Sequence, residues 1–419
     1  MRADVCVVGA GVSGLAVAAE LADAGLAVTV LEAAERIGGR AVDTRVGGYT
    51  LADGGHLLHT TWTALRHAVP WTELGLRGFA PGVRVHVAGR RPRFGAAPSR
   101  PQQTISALRT PLGTAADKAR LSKLLYKLAS GAPEKALTGA EQPCSDLFGS
   151  RGYSAELIDR FLRPYLAGLA GDEDLATSCR GADWLLRQLV RGRFAVPGGG
   201  VGQIARLLAR RLPADTVRLG TRVHTVHADR VGTADGEVRA SAVVVAADPL
   251  GAIELFPGLH EPRMRAVTTL WHTTADADLP PDPDRSPSVF VDGDPGSPVA
   301  RTAVVSRAAP GLAPPGRALV ATSVFGEDGK RHDALDRAVR ARLSAIYDAH
   351  ASRWETLDIR HVEHAVVSMH SPHNFARPVR LINGLYVCGD HRDLPNIEGA
   401  LQSARRAADA VLTDLRVRR

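Results

Sequence analysis

Cysteine is scarce and scattered: the 419 residues hold Cys6, Cys144, Cys179 and Cys388, with no Cys-x-x-Cys among them. That excludes a disulfide scaffold and a cysteine-based metal centre, and fits reduced thiols. Lysine is nearly as rare for a basic chain. Only residues 118, 123, 127, 135 and 330 are Lys, so the formal net charge of +8 rests on 47 arginines spread along the length. With neither a basic tail nor a basic patch interleaved with aromatics, no nucleic-acid partner is expected. No run of about 18 uncharged apolar residues occurs. Met1-Arg2 leads straight into a strand-like segment, so neither a spanning helix nor a secretory signal is read, and a soluble, cytoplasmic protein is expected. What the chain does have is 45% apolar residues and 42 glycines. That excludes disorder and collagen and suffices for two or three packed units.

The glycines are placed, not merely numerous. Asp4 to Val8 is a short apolar run, followed by Gly9-x-Gly11-x-x-Gly14, a helix-length Ala/Leu pattern to Ala24, and a second apolar run from Ala27 ending at Glu32. Strand, tight turn, helix and strand in this order form a complete dinucleotide-binding unit. Gly9 permits the sharp turn, Gly11 lets backbone approach a pyrophosphate, and Gly14 lets the helix pack on the strand. The helix start, with Val12 and Ser13, faces the negative charge. Glu32 stands where a carboxylate accepts hydrogen bonds from an adenosine ribose and repels a 2′-phosphate. This unit alone leaves NAD and FAD open.

Further segments follow in order. After Glu32 come Gly38-Gly39-Arg40, then Asp53-Gly54-Gly55-His56. An apolar strand ends at Asp248-Pro249, and the far end reads Val387-Cys388-Gly389-Asp390, then Pro395-Asn396-Ile397-Glu398-Gly399-Ala400 opening a helix. Together these segments resemble the flavin amine oxidase and phytoene desaturase superfamily over the whole chain. The C-terminal motif is most similar to plant-type carotene desaturases and squalene-associated desaturase-like proteins. The resemblance implies an α/β fold, with a FAD-binding Rossmann-like domain and an interleaved α+β substrate domain. It implies noncovalent FAD with the pyrophosphate at Gly9, Gly11, Val12, Ser13 and Gly14 and the ribose at Glu32. Gly38, Gly39 and Arg40 would lie along the pyrophosphate or flavin, and Asp53, Gly54, Gly55 and His56 beside the isoalloxazine. Val223 would offer backbone to the adenine, and Gly389 and Asp390 would reach the ribitol or a phosphate. Ile397, Glu398 and Ala400 would bring a helix N-terminus to the pyrimidine edge, where negative charge grows on reduction.

The expected flavin domain is discontinuous: residues 1–75, 190–260 and 376–419. Residues 76–189 and 261–375 would form the substrate domain, with strands at Ala266–His272, Ser288–Val291, Val299–Ser306, Ala318–Val324 and Ile359–Met369 and a helix at Asp333–Ala351. A basic amphipathic segment from Asp117 to Leu128 reads as an exposed helix in preference to a membrane-surface element. The segment Pro197-Gly198-Gly199-Gly200-Val-Gly202-Gln203 resembles a second fingerprint. Gln203 at the third glycine position, Pro197 in the entering strand and the lack of a closing acid argue against a bound nicotinamide. Dioxygen or another acceptor is therefore expected to take the electrons.

His56 and His391 are the candidate catalytic bases, with His59 nearby. Four His-x-x-His pairs (56/59, 224/227, 361/364, 370/373) lack a third ligand, so no metal is expected. Trp271 and His272, and Met369 and His370, end strands that can reach the pocket. Amine oxidases of the resembled superfamily place a lysine on a substrate-domain strand and aromatics near the C-terminal motif. None of the five lysines sits in a suitable strand, and Asp390 to Gly399 holds no aromatic residue. The reading is a FAD-dependent oxidase or dehydrogenase taking a hydride from a small, largely apolar organic substrate, with desaturation ahead of amine oxidation at a C–N bond. A non-redox flavin-dependent isomerase and a non-catalytic binding scaffold are the alternatives.

Overall fold

A computed structural model describes residues 2–95, 112–282, 284–326, 332–382 and 384–416. Two sheets organise it. The first is eight-stranded, and its parallel part runs Val217–Arg218, Val28–Leu31, Arg2–Val8, Gly236–Val245 and Leu385–Val387. Val5 to Val8 and Ala242 to Val245 in the two central strands are buried on both faces, as central parallel strands must be. Gly236–Val245 is long enough to serve two neighbours. Its first half pairs antiparallel with Arg230–Thr233, and its second half pairs parallel with Leu385–Val387.

The helices Val12–Asp23 and Ile397–Asp414 cover one face of this sheet. Ala16, Ala18, Ala404, Ala407 and Ala408 are all buried in this layer, so small side chains let the elements approach closely.

The second sheet has seven strands, in the order Glu355–Val367, Met264–Ala275, Arg317–Phe325, Arg301–Val304, Val289–Asp292, Val83–His86 and Arg93–Phe94. One face carries the helix His332–Tyr347, packed through Leu335, Val339, Leu343 and Ile346. The other face turns toward the first domain through Trp271, Ala303, Leu319 and Ala321. Helices Ala115–Ser130, Cys144–Ser150, Arg163–Ala170 and Cys179–Val190 complete this half.

Several elements differ from their sequence limits for local reasons. The strand-like run from Thr216 to His227 folds as two strands, Val217–Arg218 and Val223–Val226, separated by Gly220 at φ +63°. The Val299–Ser306 run is a strand only over Arg301–Val304, after which Val305–Ala308 turns helical. The expected Asp333–Ala351 helix ends at Tyr347, and the chain reverses through Asp348 at φ +55°. Two antiparallel ties join the early part of the chain to its middle: Leu58–His59 and Leu76–Gly78 both pair with Phe194–Pro197.

Candidate functional site

The turn after the first strand is backbone laid on backbone. Gly9 sits at φ +103°, and a side chain there would begin 2.9 Å from the Ala246 carbonyl oxygen. At Gly14 an added Cβ would lie 1.9 Å from the Gly9 oxygen, so this helix can pack on its strand only with glycine. Gly11 is different: a Cβ there meets nothing closer than the Gly39 Cα at 4.0 Å. Gly11 bridges Gly38, so the Gly38-Gly39 turn and the fingerprint face each other as bare main chain. The Val12–Asp23 helix has Gly11 as its N-cap and no side chain bonded to its first amides. A trough of glycine in front of an uncapped helix start fits a pyrophosphate. The Glu32 carboxylate accepts from the Ala10 amide at 2.6 Å and the Ala34 amide at 2.8 Å, which fixes it at the end of the second strand. Val223 begins the edge strand of the same sheet at a register shift, with backbone pairing on one side only.

The C-terminal motif meets this turn. Arg40 donates to Asp390 at 2.6 Å and to the Ala365 carbonyl at 3.0 Å, so two residues expected at the cofactor also hold each other. Ser403 accepts from the Gly389 amide and donates to the Gly389 carbonyl, tying the strand end to the final helix. Asn396 caps that helix by accepting from the Gly399 amide. The Glu398 side chain has a place that its motif position did not announce. It accepts from the amides of Thr63, Ala64 and Leu65 and from the Thr63 hydroxyl, capping the helix Thr63–Ala68. Only its backbone is left for the motif, along with Ile397 and Ala400. Asp53 is likewise engaged, by Arg36, Thr44 and Arg360, the last from the second sheet.

Between the two halves lies a pocket lined by His56, Thr50, Asp43, Val196, Trp271 and Leu312, among others. The His56 ring meets Trp271 edge-on at 5.5 Å. His56 Nδ1 and the Trp271 indole nitrogen are buried without a partner among the described residues, as are both ring nitrogens of His391. Buried polar atoms require partners, so His56 and Trp271 in the pocket wall, and His391 beside the Gly389 strand end, are places where a polar ring system such as a flavin fits. Burial, with Arg301 nearby, pushes the His56 imidazole down to about 3. Burial also takes His391 to about 4, with the Arg392, Arg40 and Arg377 charges adding to it and Asp390 opposing. Both are therefore neutral imidazoles, suited to exchanging hydrogen bonds and weak as proton acceptors.

Other sequence candidates separate by strand alternation. Trp271 faces the pocket, but His272 points to the opposite side and bonds Asp336 at 2.8 Å. Met369 is packed near Gly181, and His370 bonds Ser368 and Arg265. Lys118, Lys123, Lys127 and Lys135 lie on helical segments away from either sheet, and Lys330 lies outside the described residues. The glycine-rich segment at Pro197 opens the helix Gln203–Ala209, but Asp43 accepts from the Val201 and Gly202 amides at 3.0 and 2.9 Å. The protein's own carboxylate occupies the place a second phosphate would take. Asp43, Thr50 and Arg301 were missed from sequence because nothing local marks them. A His86, Asp292 and Asp294 group has metal-like spacing, yet Arg342 bonds both carboxylates at 2.8 to 3.0 Å and Arg160 pairs with Asp294, so two cations balance the two acids.

A dinucleotide turn on a parallel sheet, roofed by a second sheet with a pocket between, defines a two-domain flavoenzyme-type oxidoreductase. The chain belongs to the flavin-containing amine oxidoreductase family, whose model matches residues 12–412, and so to the FAD-dependent oxidoreductases. It is similar to a Mycobacterium tuberculosis protein named as a flavin-containing monoamine oxidase, AofH, with 41% identity over 87 residues. That match spans 21% of this chain and 18% of the relative. The fold is that of putrescine oxidase solved with putrescine (18% identity, 99% of each chain, TM-score 0.71). It is also that of a Methanosarcina mazei oxidoreductase (17%, 98% of this chain and 100% of the other, TM-score 0.73). Reduced UDP-galactopyranose mutase shares it as well (16%, 98% and 96%, TM-score 0.73). Among the described residues no helix is long and apolar enough to cross a membrane.

Proposed function

We propose that the chain oxidises a small, largely apolar organic molecule by hydride removal, at a C–C bond in preference to a C–N bond. The supporting observation is the pocket itself. Ala52, Val196, Val201, Trp271, Val305 and Leu312 give it an apolar wall, and no described lysine reaches it. FAD, held noncovalently, supplies the hydride acceptor. The glycine trough and helix Val12–Asp23 hold its pyrophosphate, Glu32 its ribose, and the backbone from Ile397 to Ala400 its pyrimidine edge. His56 Nδ1 and the His391 nitrogens hydrogen-bond the ring system as neutral groups, and Trp271 and Leu312 exclude water from the reacting carbon. The buried Cys388 thiol, pushed up to about 12 by burial, supports noncovalent attachment. The flavin domain comprises residues 1–75, 190–260 and 376–419, and the substrate domain 76–189 and 261–375. Electrons leave to dioxygen or another acceptor.

Amine oxidation is the second reading, favoured by the Asp43 carboxylate in the pocket lining. Anaerobic mixing of FAD-loaded enzyme with panels of apolar alkenes, cyclic precursors and primary amines separates the two. Bleaching of the long-wavelength flavin band by non-amines is expected. Bleaching by amines alone reverses the order, and admission of air then tests dioxygen as acceptor.

A further inference from the structure

Alternation along the Arg301–Val304 strand sends Thr302 and Val304 to the helix-covered face. There Thr302 meets the Tyr347 hydroxyl at 3.1 Å, and Val304 joins Val320 and Leu343. Arg301 and Ala303 therefore face the other way, toward the pocket side on which Trp271 lies. The pairing register sets Arg301 beside Ser323, and Ser323 beside Thr269, one step along from the row of Ala303, Ala321 and Trp271. This row is polar beside the apolar Ala303, Ala321 and Trp271. Ser323 and Thr269 are 1% and 5% exposed, and among the described residues the one side-chain bond of Arg301 is to the Ser323 hydroxyl at 3.4 Å.

Arg301 also differs from other arginines of its sheet. Arg84 and Arg93 share Asp284, and Arg360, at the end of the same row, pairs with Asp53 and Asp358. Among the described residues no carboxylate lies within ion-pair distance of Arg301. A partly buried guanidinium without a counter-charge is costly, and its planar fork matches a carboxylate through two parallel hydrogen bonds. Burial lowers its pKa to about 10, and its charge reaches His56 in the pocket wall.

We propose that Arg301, flanked by the Ser323 and Thr269 hydroxyls, binds a carboxylate on the substrate, which is thus an apolar body with an acidic end. This rests on the flavin-site reading above. The Gly9 to Gly14 trough already provides for the cofactor's phosphates, so the free cation is left for the substrate.

The test is titration of FAD-loaded enzyme with benzoate and with benzamide, which share a ring and differ in charge, followed by perturbation of the flavin spectrum. Benzoate is expected to bind more tightly than benzamide by about tenfold or more. Arg301→Gln should abolish that preference while leaving benzamide binding near wild type, and Arg301→Lys should keep part of it. Equal binding of the two probes, no benzoate binding, or a preference that survives Arg301→Gln overturns the proposal. Should Arg301→Gln fail to retain FAD, the wild-type preference and its reduction in Arg301→Lys decide the question. FAD content is measured separately: wild-type protein that takes up no FAD defeats the flavin-site reading, whereas loaded protein without carboxylate preference defeats this proposal alone.

Discussion

Gly11 and Gly14 are three residues apart and have opposite physical reasons for being glycine. A methyl at Gly14 would overlap the Gly9 carbonyl, whereas a methyl at Gly11 enters space bounded only by Gly39 at 4.0 Å. Gly14→Ala should therefore fail as a folded protein. Gly11→Ala should fold with near-wild-type melting in the absence of FAD and lose cofactor affinity by at least tenfold (about 1.4 kcal/mol). Apo-protein melting curves beside FAD titrations check both halves, and equal behaviour of the two variants would show that the trough is not the pyrophosphate site. These glycines were readable in advance because a backbone constraint is written into the residue type itself. Asp43 and Arg301 were not. One is an aspartate whose importance comes from amides at 201 and 202, and the other is one arginine among 47, set apart only by lacking a carboxylate.

Helix ends carry the next scale. The Thr63–Ala68 helix has only six residues and cannot hold itself together. Its N-terminal amides are satisfied by Glu398, which arrives from the other end of the chain. Glu398→Ala removes the acceptor of three amides, of which only that of Leu65 is buried, and should lower stability by about 1–2 kcal/mol, while Glu398→Gln, which keeps an acceptor oxygen, should cost less. Urea unfolding of both variants measures this, and equal midpoints for Glu398→Ala and wild type would remove the cap from the account. The same motif shows how far sequence reading reaches. The position of Ile397 to Ala400 at a helix start was legible from residue pattern. The direction of the Glu398 side chain was not, because its acceptor function is set by a partner 333 to 335 residues away. Element limits slipped for a related reason: Gly220 and Asp348 impose left-handed turns inside runs whose hydrophobicity continues past them.

The whole molecule is acid-sensitive by construction. His56 and His59 are pushed down to about 3, and His373 and His391 to about 4, with burial the first cause in each. In the unfolded chain these imidazoles take up protons near pH 6.5. The unfolded state therefore binds more protons below that pH, and the stability present above about 6.5 is lost as pH falls toward 4. Each histidine contributes at most about 1.4 kcal/mol per pH unit in that window. Melting temperatures between pH 7.5 and 5 should fall steeply, and His59→Gln should flatten the slope; a flat wild-type profile would refute neutral burial of these rings. The two-sheet plan was visible from the order of apolar runs. The join between the halves, through Arg360 on Asp53 and Arg40 on Asp390 and the Ala365 carbonyl, was not, since it is made of single side chains far apart in sequence. The shared strand Gly236–Val245 has a consequence for biosynthesis. Residues 2–8 wait for it on one side and it waits for residues 385–387 on the other, so the parallel core closes only after residues 385–387 have left the ribosome. Until then the nucleotide turn stands beside an open strand edge. A cofactor held at that turn can be captured only after residues 385–387 are made, and nascent chains must be kept from pairing edge to edge until then.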